Sequence, residues 1–460
     1  MNSSLSRRRF LQSIAAAVAL PSAACAGKNT HYPHLLADPA RLLDLRDGFS
    51  YSVVSRMGDE MDDGLLVPGK HDGMAAFPGA DGRIRLVCNH EITTLDFKHG
   101  AFGPTNSRFA DSISERTYDS GGQRTPGLGG TTTTIYNPET KAAERQFLSL
   151  AGTEINCAGG PTPWNSWLSC EECFKHPGEQ LDKSGITLHR EQRHGYIFEV
   201  PSAADEMIEP VPLKAMGRFE HEAAAVHASS GTVYLTEDRW HSLFYRFLPN
   251  VPGKLHEGGR LQALAIVDQA EQRTHNWDAQ DIAINTPLST HWIDLEDVDS
   301  DENDLRKRGA ASGAAMFARG EGITVAGNEF AFTCTIGGPD RLGQIFTYRP
   351  SPYEGSDREG EAPGQLTLIA EANNDSLLKH CDNLTMAPWG DLIVCEDTSG
   401  ECALVGVRPD GSQYMVANNA YEQSELAGVC FSPDGQTMFV NIQHRGYTLA
   451  VTGPWESLHR

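Results

Sequence analysis

The sequence predicts an all-β chain folded as a six-bladed β-propeller with insertions between blades. Three observations lead there. Long helix-period patterns are scarce, while short runs rich in β-branched and aromatic residues recur between Gly, Pro, Asn and Asp turns. One unit of strand, turn and strand recurs six times, with polar residues at both of its ends. Those ends are mostly carboxylates, which strands otherwise disfavour.

The first copy runs from Asp72 through a Pro-Gly-Ala-Asp-Gly turn to Glu91. The second opens at Cys157 (CAGGPTPWNSWLSCEE) and closes at Glu171 and Glu172. The third, HEAAAVHASSGTVYLTED, starts at His221 and Glu222 and ends at Glu237 and Asp238. The fourth is EGITVAGNEFAFTCT from Glu321, the fifth DNLTMAPWGDLIVCED from Asp382 to Glu396 and Asp397, and the sixth ELAGVCFSPDGQTMFVNIQ from Glu425 to Gln443. In an antiparallel hairpin the first residue of one strand lies beside the last residue of the other, so both polar ends share one edge. Six such hairpins arranged radially bring those edges to one axis. The stretches 92–129 and 268–312, rich in Asp, Ser, Asn and Thr, read as loops inserted between repeats.

The segment before the repeats is of another kind. Ser6-Arg7-Arg8-Arg9-Phe10-Leu11-Gln12 precedes an apolar run from Ile14 to Leu20 and then small residues, the pattern of a twin-arginine export signal over residues 1–28. The run is too short to span a bilayer, and no other stretch approaches the required length. A periplasmic or secreted protein that meets the twin-arginine export machinery is expected, with Cys25 after Ser-Ala-Ala as a weak lipidation signal. A lead-in, 29–45, precedes a single propeller domain, 46–460.

The formal charge of −23 over 460 residues makes nucleic acid an unlikely partner and leaves two readings of the acids, a solvated surface or a store of metal ligands. Of the ten cysteines, Cys88, Cys170, Cys334, Cys395 and Cys430 sit in apolar strand-like runs and read as buried thiols. Pairing of Cys170 with Cys173, or Cys395 with Cys402, stays open. The rim acids Asp72, Glu91, Glu171, Glu172, Glu222, Glu237, Asp238, Glu321, Asp382, Glu396, Asp397 and Glu425 supply the hard oxygens that calcium takes six to eight at a time. Cys157, before Ala-Gly-Gly, is a soft donor that suits iron or zinc. Arg319 and Arg239 are placed to offer bidentate forks to phosphate, or to pair with their acidic neighbours. No phosphate-binding Gly-rich loop, Gly-x-Ser-x-Gly or His-Glu-x-x-His motif is present.

The blocks NHE (89–91), NCAGGPTPW (156–164), CEE (170–172), GRFEHEA (217–223), ARGEG (318–322), DNLTMAPWGDLIVCED (382–397), ELAGVCFSPDGQTMFVNIQHRG (425–446) and TGPW (452–455) together resemble the PhoX-type alkaline phosphatases. The resemblance covers most of the chain from about residue 45. It implies a six-bladed propeller, twin-arginine export, and a hub of two ferric ions (Fe3+) and calcium ions (Ca2+) that hydrolyses small-molecule phosphate monoesters. On that resemblance Cys157 falls on an iron ligand and Glu222 on the acid of the His-Glu pair. Glu321 falls on the Arg-x-Glu-Gly acid, with Arg319 as phosphate contact. Glu91, Glu171, Glu172, Asp238, Asp382, Glu396, Asp397 and Glu425 are expected on iron or calcium, undivided. Two other readings fit parts of the pattern: a calcium-dependent propeller lactonase or sugar hydrolase, which leaves Cys157 unexplained, and a non-catalytic calcium-stabilised propeller that binds a partner.

Overall fold

The computed structural model describes residues 32, 34–183, 185–269, 273–398, 400–421 and 424–459. The export signal expected over 1–28 lies outside the described residues. Each of the six sequence repeats is an antiparallel hairpin. Its first strand is His71–Pro78, Asn156–Pro161, His221–Val226, Gly320–Ala326, Cys381–Met386 or Leu426–Phe431. Each of these six strands packs beside the next in chain order, and the last packs beside the first, so they form a ring. The chain is thus all-β in a propeller-like arrangement, with wedge-shaped apolar cores between neighbouring sheets. Ile393, Leu404, Val440 and Leu449, all fully buried, fill one such wedge.

The ring is tight because the innermost strands carry glycine where they meet. A Cβ on Gly160 would stand 1.7 Å from the Ala224 carbonyl oxygen, and one on Gly428 would stand 2.2 Å from that of Asp72. Only glycine lets backbones approach this closely. Side chains of the second strands then pin the neighbouring inner strand. Asn441 Nδ2 donates to the Asp72 carbonyl at 2.6 Å, Asn89 Nδ2 to that of Cys157 at 3.1 Å, and Thr333 Oγ1 to that of Asp382 at 2.7 Å. Thr236 Oγ1 does the same to Glu321.

The hydrogen-bonded sheets do not divide into six equal units. One contains nine strands, one six, two four and one three, with a separate pair formed by Gly178–Leu181 and Thr187–Arg190. Leu288–Asp294, inside the stretch 268–312 expected as loop, is the cause of the largest. It pairs with Gly259–Ile266 on one side and Gln365–Glu371 on the other, fusing two four-stranded groups. The lead-in is also built into a sheet, since Leu43–Arg46 pairs with Gln413–Asn419 and Leu35–Leu36 pairs with Leu43–Arg46 in turn. Ser50–Arg56 pairs with Tyr447–Thr452, completing the last sheet with a strand from the start of the chain. All nine described cysteines are buried and free. No helix among the described residues is long and apolar enough to cross a membrane.

Candidate metal centre and active site

Every inner strand is interrupted near its start by a register shift in which one extra residue faces the partner strand. The shifts fall between His71 and Met74, Asn156 and Gly159, His221 and Ala224, Gly320 and Ile323, Cys381 and Leu384, and Ala427 and Cys430. A bulge of this kind re-aims side chains out of the pleat. In five of the six the first residue within it is Asp72, Cys157, Glu222, Glu321 or Asp382, and all five line one cavity of about 310 Å³ at the centre of the ring. In the sixth the shift lies one position later and Glu425, just ahead of the strand, takes the equivalent place.

The second strand of each hairpin contributes the residue just beyond its end: Glu91, Glu172, Asp238, Asp397 and Gln443 line the same cavity. In the fourth hairpin this place holds Thr335, whose hydroxyl donates to Glu321 Oε1 at 2.9 Å. Period-two alternation sends the preceding residue the other way. Glu171 and Glu396, expected among the ligands, therefore stand outside the cavity with their oxygens already used. Glu171 accepts from the backbone N–H groups of Glu154, Gly195 and Tyr196 and from His194 Nδ1, at 2.6 to 3.1 Å. Glu396 accepts from the N–H groups of Lys379 and Ala403 at 2.7 and 3.0 Å. Glu237 likewise turns away, to the Tyr245 hydroxyl at 2.7 Å. Lys70, Gln443 and His444 join the cavity lining without having been singled out as site residues. Lys70 immediately precedes the first hairpin and His444 immediately follows the sixth, so proximity to hairpin ends was the available signal.

Three groups of donors form within this cavity, two of them sharing Glu222, each with ligand atoms lying within 4.8 Å of one another. Cys157, Glu172 and Glu222 make one, Glu222, Glu321 and Asp382 a second, and Asp72, Glu91 and Glu425 a third. The electrostatics of this cluster are unfavourable by itself. Burial first, and then neighbouring carboxylates, push Asp72, Glu172, Glu222, Glu321 and Glu425 well above the usual carboxylate range and Asp382 up to about 7. Burial and the charges of Glu222, Glu172 and Asp72 hold the Cys157 thiol well above its ordinary range. Cations placed among donors so crowded would favour their ionised forms.

Two fixed positive groups stand at this cavity. Lys70 Nζ lies 3.9 Å from Glu91. The Arg319 fork meets both oxygens of Asp238 at 2.6 Å and Glu321 at 3.0 Å. Arg319 is held in the left-handed region, φ 55°, where its N–H donates to the Arg239 carbonyl at 2.9 Å. The Arg239 side chain itself does not line the central cavity. It lies 3.5 Å from Glu220 and borders the space beside it.

The sequence matches the family of alkaline phosphatases PhoX over residues 30–446. Among solved structures, Pseudomonas fluorescens PhoX in complex with vanadate, a transition-state analogue, is similar at 19% identity and a TM-score of 0.63, covering 91% of this chain and 97% of that one. A gluconolactonase from Xanthomonas campestris aligns at 12% identity and a TM-score of 0.40, over 91% of this chain and 98% of that one. The calcium-binding protein regucalcin from Agrobacterium tumefaciens aligns at 11% and 0.39, over 87% and 96%. No curated protein matches the sequence. With nine-tenths of its length matched, the chain belongs to the PhoX alkaline phosphatase family and, with it, to the phosphoric monoester hydrolases.

Proposed function

We propose that this chain is an exported phosphatase that hydrolyses small phosphate monoesters at a hub loaded with Fe3+ and Ca2+, and that it releases inorganic phosphate. The observation that carries the reading is the gathering of three donor groups in one cavity beside one arginine fork. We read the ring of inner strands as six blades, the nine-stranded sheet being two of them joined by Leu288–Asp294. Export rests on the Arg7-Arg8-Arg9 leader, and a periplasmic or secreted location follows from it.

The donor chemistry fits the ions. Cys157 with Glu172 and Glu222 combines a soft thiolate with carboxylates, which suits iron. Asp72, Glu91 and Glu425 offer oxygen alone, which suits calcium. Glu222, Glu321 and Asp382 share Glu222 with the thiolate group, so that carboxylate is available to both groups. Asp238 and Asp397 line the same cavity and complete the anionic lining around these groups. Bound there, the ions supply Lewis-acid polarisation of phosphoryl oxygens and activation of an attacking oxygen.

The chain's own residues do the rest. Arg319, oriented by Asp238, presents planar donors to a phosphoryl group entering the cavity and neutralises charge that grows during transfer. Gln443 Nε2 donates to Asp72 and Glu91, both at 2.8 Å, and so fixes those carboxylates for a ligand. The leaving part of the ester has room on the Arg239 side, where a second cavity shares Glu172, Asp238 and Arg319 with the first. The test is release of phosphate from p-nitrophenyl phosphate by protein purified without chelator, with iron and calcium measured on the same sample. No turnover by metal-loaded protein would overturn the reading.

A further inference from the structure

The space beside the hub continues into a cavity of about 490 Å³ of opposite character. Arg239, Arg273, Arg306 and Lys307 line it together with Trp240 and His241, and among the described residues its lining includes no carboxylate. This is unusual in a chain of formal charge −23 with only 38 basic residues. Arg239 and Trp240 also line the intermediate cavity of about 430 Å³, which in turn shares Arg319 with the hub. The three spaces are therefore neighbours that share wall residues, and this cleft region runs from acidic to basic.

The basic end is built rather than incidental. Arg306 is held by the Asn303 side-chain oxygen at 2.7 Å, and Glu237 stands 3.7 Å away. Trp240 in the wall is backed by Trp277, packed edge to face at 5.6 Å, with Arg341 over both rings at 5.6 and 4.6 Å. His275 stacks on Trp277 at 3.9 Å. Burial, then the charges of Arg273 and Arg306, keep His241 below its usual range, and His275 is pushed to about 4 by burial and by His241 and Arg273. Asp278 and Asp281 oppose this at His275 without reversing it. Neutral imidazoles beside clustered cations mark a region of positive potential that an anion would relieve.

We propose that this cleft is a second anion subsite, selecting phosphate monoesters whose leaving group carries a further phosphate. The proposal rests on the phosphatase reading of the hub: one phosphoryl group sits at Arg319 while the other is met by Arg273, Arg306 and Lys307, with Arg239 between them. A leaving group with a second dianion gains charge-assisted hydrogen bonds there that a neutral sugar or alcohol lacks.

Arg273 and Lys307 are exposed, so their replacement does not test the core. The full-length, metal-loaded protein carrying Arg273→Gln and Lys307→Gln is compared with the parent on fructose 1,6-bisphosphate against fructose 6-phosphate, and on ADP against AMP. The parent is expected to prefer the doubly charged member in kcat/KM. The double variant is expected to lose at least tenfold of that preference ratio. A gain confined to one pair identifies a bisphosphate or an anhydride as the fitting arrangement. A ratio unchanged in both pairs, or no preference in the parent, overturns the subsite. If no phosphate ester is turned over at all, the phosphatase reading fails separately, and calorimetric binding of fructose 1,6-bisphosphate decides the subsite. Binding weakened tenfold in the double variant sustains it, and equal binding overturns it.

Discussion

Arg319 grips Asp238 with two parallel hydrogen bonds of 2.6 Å, one to each carboxylate oxygen. The pair joins two hairpins at the edge of the donor cluster, and Arg319 Nη2 also lies 3.0 Å from Glu321 in the cavity wall. A lysine could restore the charge but not the fork. Arg319→Lys is therefore expected to lower kcat/KM for p-nitrophenyl phosphate by about 100-fold, the order seen when one oriented donor is removed from a transition state. Melting temperature should stay close to the parent. Recovery of near-parental turnover with lysine would show that charge alone suffices.

Cys157 is the single soft donor in a ring of oxygens. Cys157→Ser keeps the bulge and the glycines that follow, so the protein should fold with an unchanged far-ultraviolet spectrum. It should lose iron, measured by elemental analysis, and with it activity. Serine protein that retains both iron and turnover would remove the thiolate from the centre.

The adjacent pair Glu171 and Glu172 separates the two sides of one strand end. Glu172→Gln should deplete metal and activity while leaving the apo-protein no less stable, since it removes one of several mutually repelling carboxylates. Glu171→Gln should act in the opposite way. It breaks a fully buried contact with His194 at 2.6 Å and is expected to cost about 3 to 5 kcal/mol of unfolding free energy, read by denaturant titration. Equal effects at the two positions would contradict the alternation.

Removal of calcium should act on stability and chemistry together. Ions that bind only the folded state stabilise it by about 2.7 kcal/mol at a hundredfold excess over Kd. A calcium-selective chelator is expected to lower the melting temperature and abolish turnover. Calcium should restore both, and magnesium little, because magnesium demands a tighter octahedral shell. Unchanged melting after chelation would mean that the crowded carboxylates are balanced otherwise.

His194 gives a pH dependence distinct from that of the hub. Burial alone would lower its pKa, but Glu171, Asp119 and Glu154 outweigh burial and raise it from 6.5 to about 10. A raised folded-state value means that its contribution is complete below pH 6.5 and fades as pH rises through about 10. Asp119 and Glu154 are shifted downward, burial opposing and their hydrogen bonds to His194 and Arg190 prevailing, so their contributions fade as the solution becomes acid. Stability against urea should therefore fall between pH 8 and 10 in the parent and change less over that interval in His194→Gln.

Much of this arrangement was legible in the sequence because the repeat marks itself chemically. Asp72, Cys157, Glu222, Glu321, Asp382 and Glu425 open their hairpins, and all six reach the centre. What the letters did not give was which member of Glu171-Glu172, Glu237-Asp238 or Glu396-Asp397 turns inward. That depends on where the last paired residue falls, a register set by the bulge and invisible in composition. The strand Leu288–Asp294 was hidden for a related reason. Its residues are mostly part-exposed or exposed, and it is held by pairing on both flanks rather than by an apolar pattern. Lys70 and His444 belong to no repeat and enter the cavity only through the fold.

The pairing of Ser50–Arg56 with Tyr447–Thr452 makes the ring a clasped belt, buckled by two strands that lie far apart in the sequence. Until Tyr447–Thr452 has been made, Ser50–Arg56 lacks its partner and the last sheet is incomplete. High-sequence-separation closure of this kind is slow.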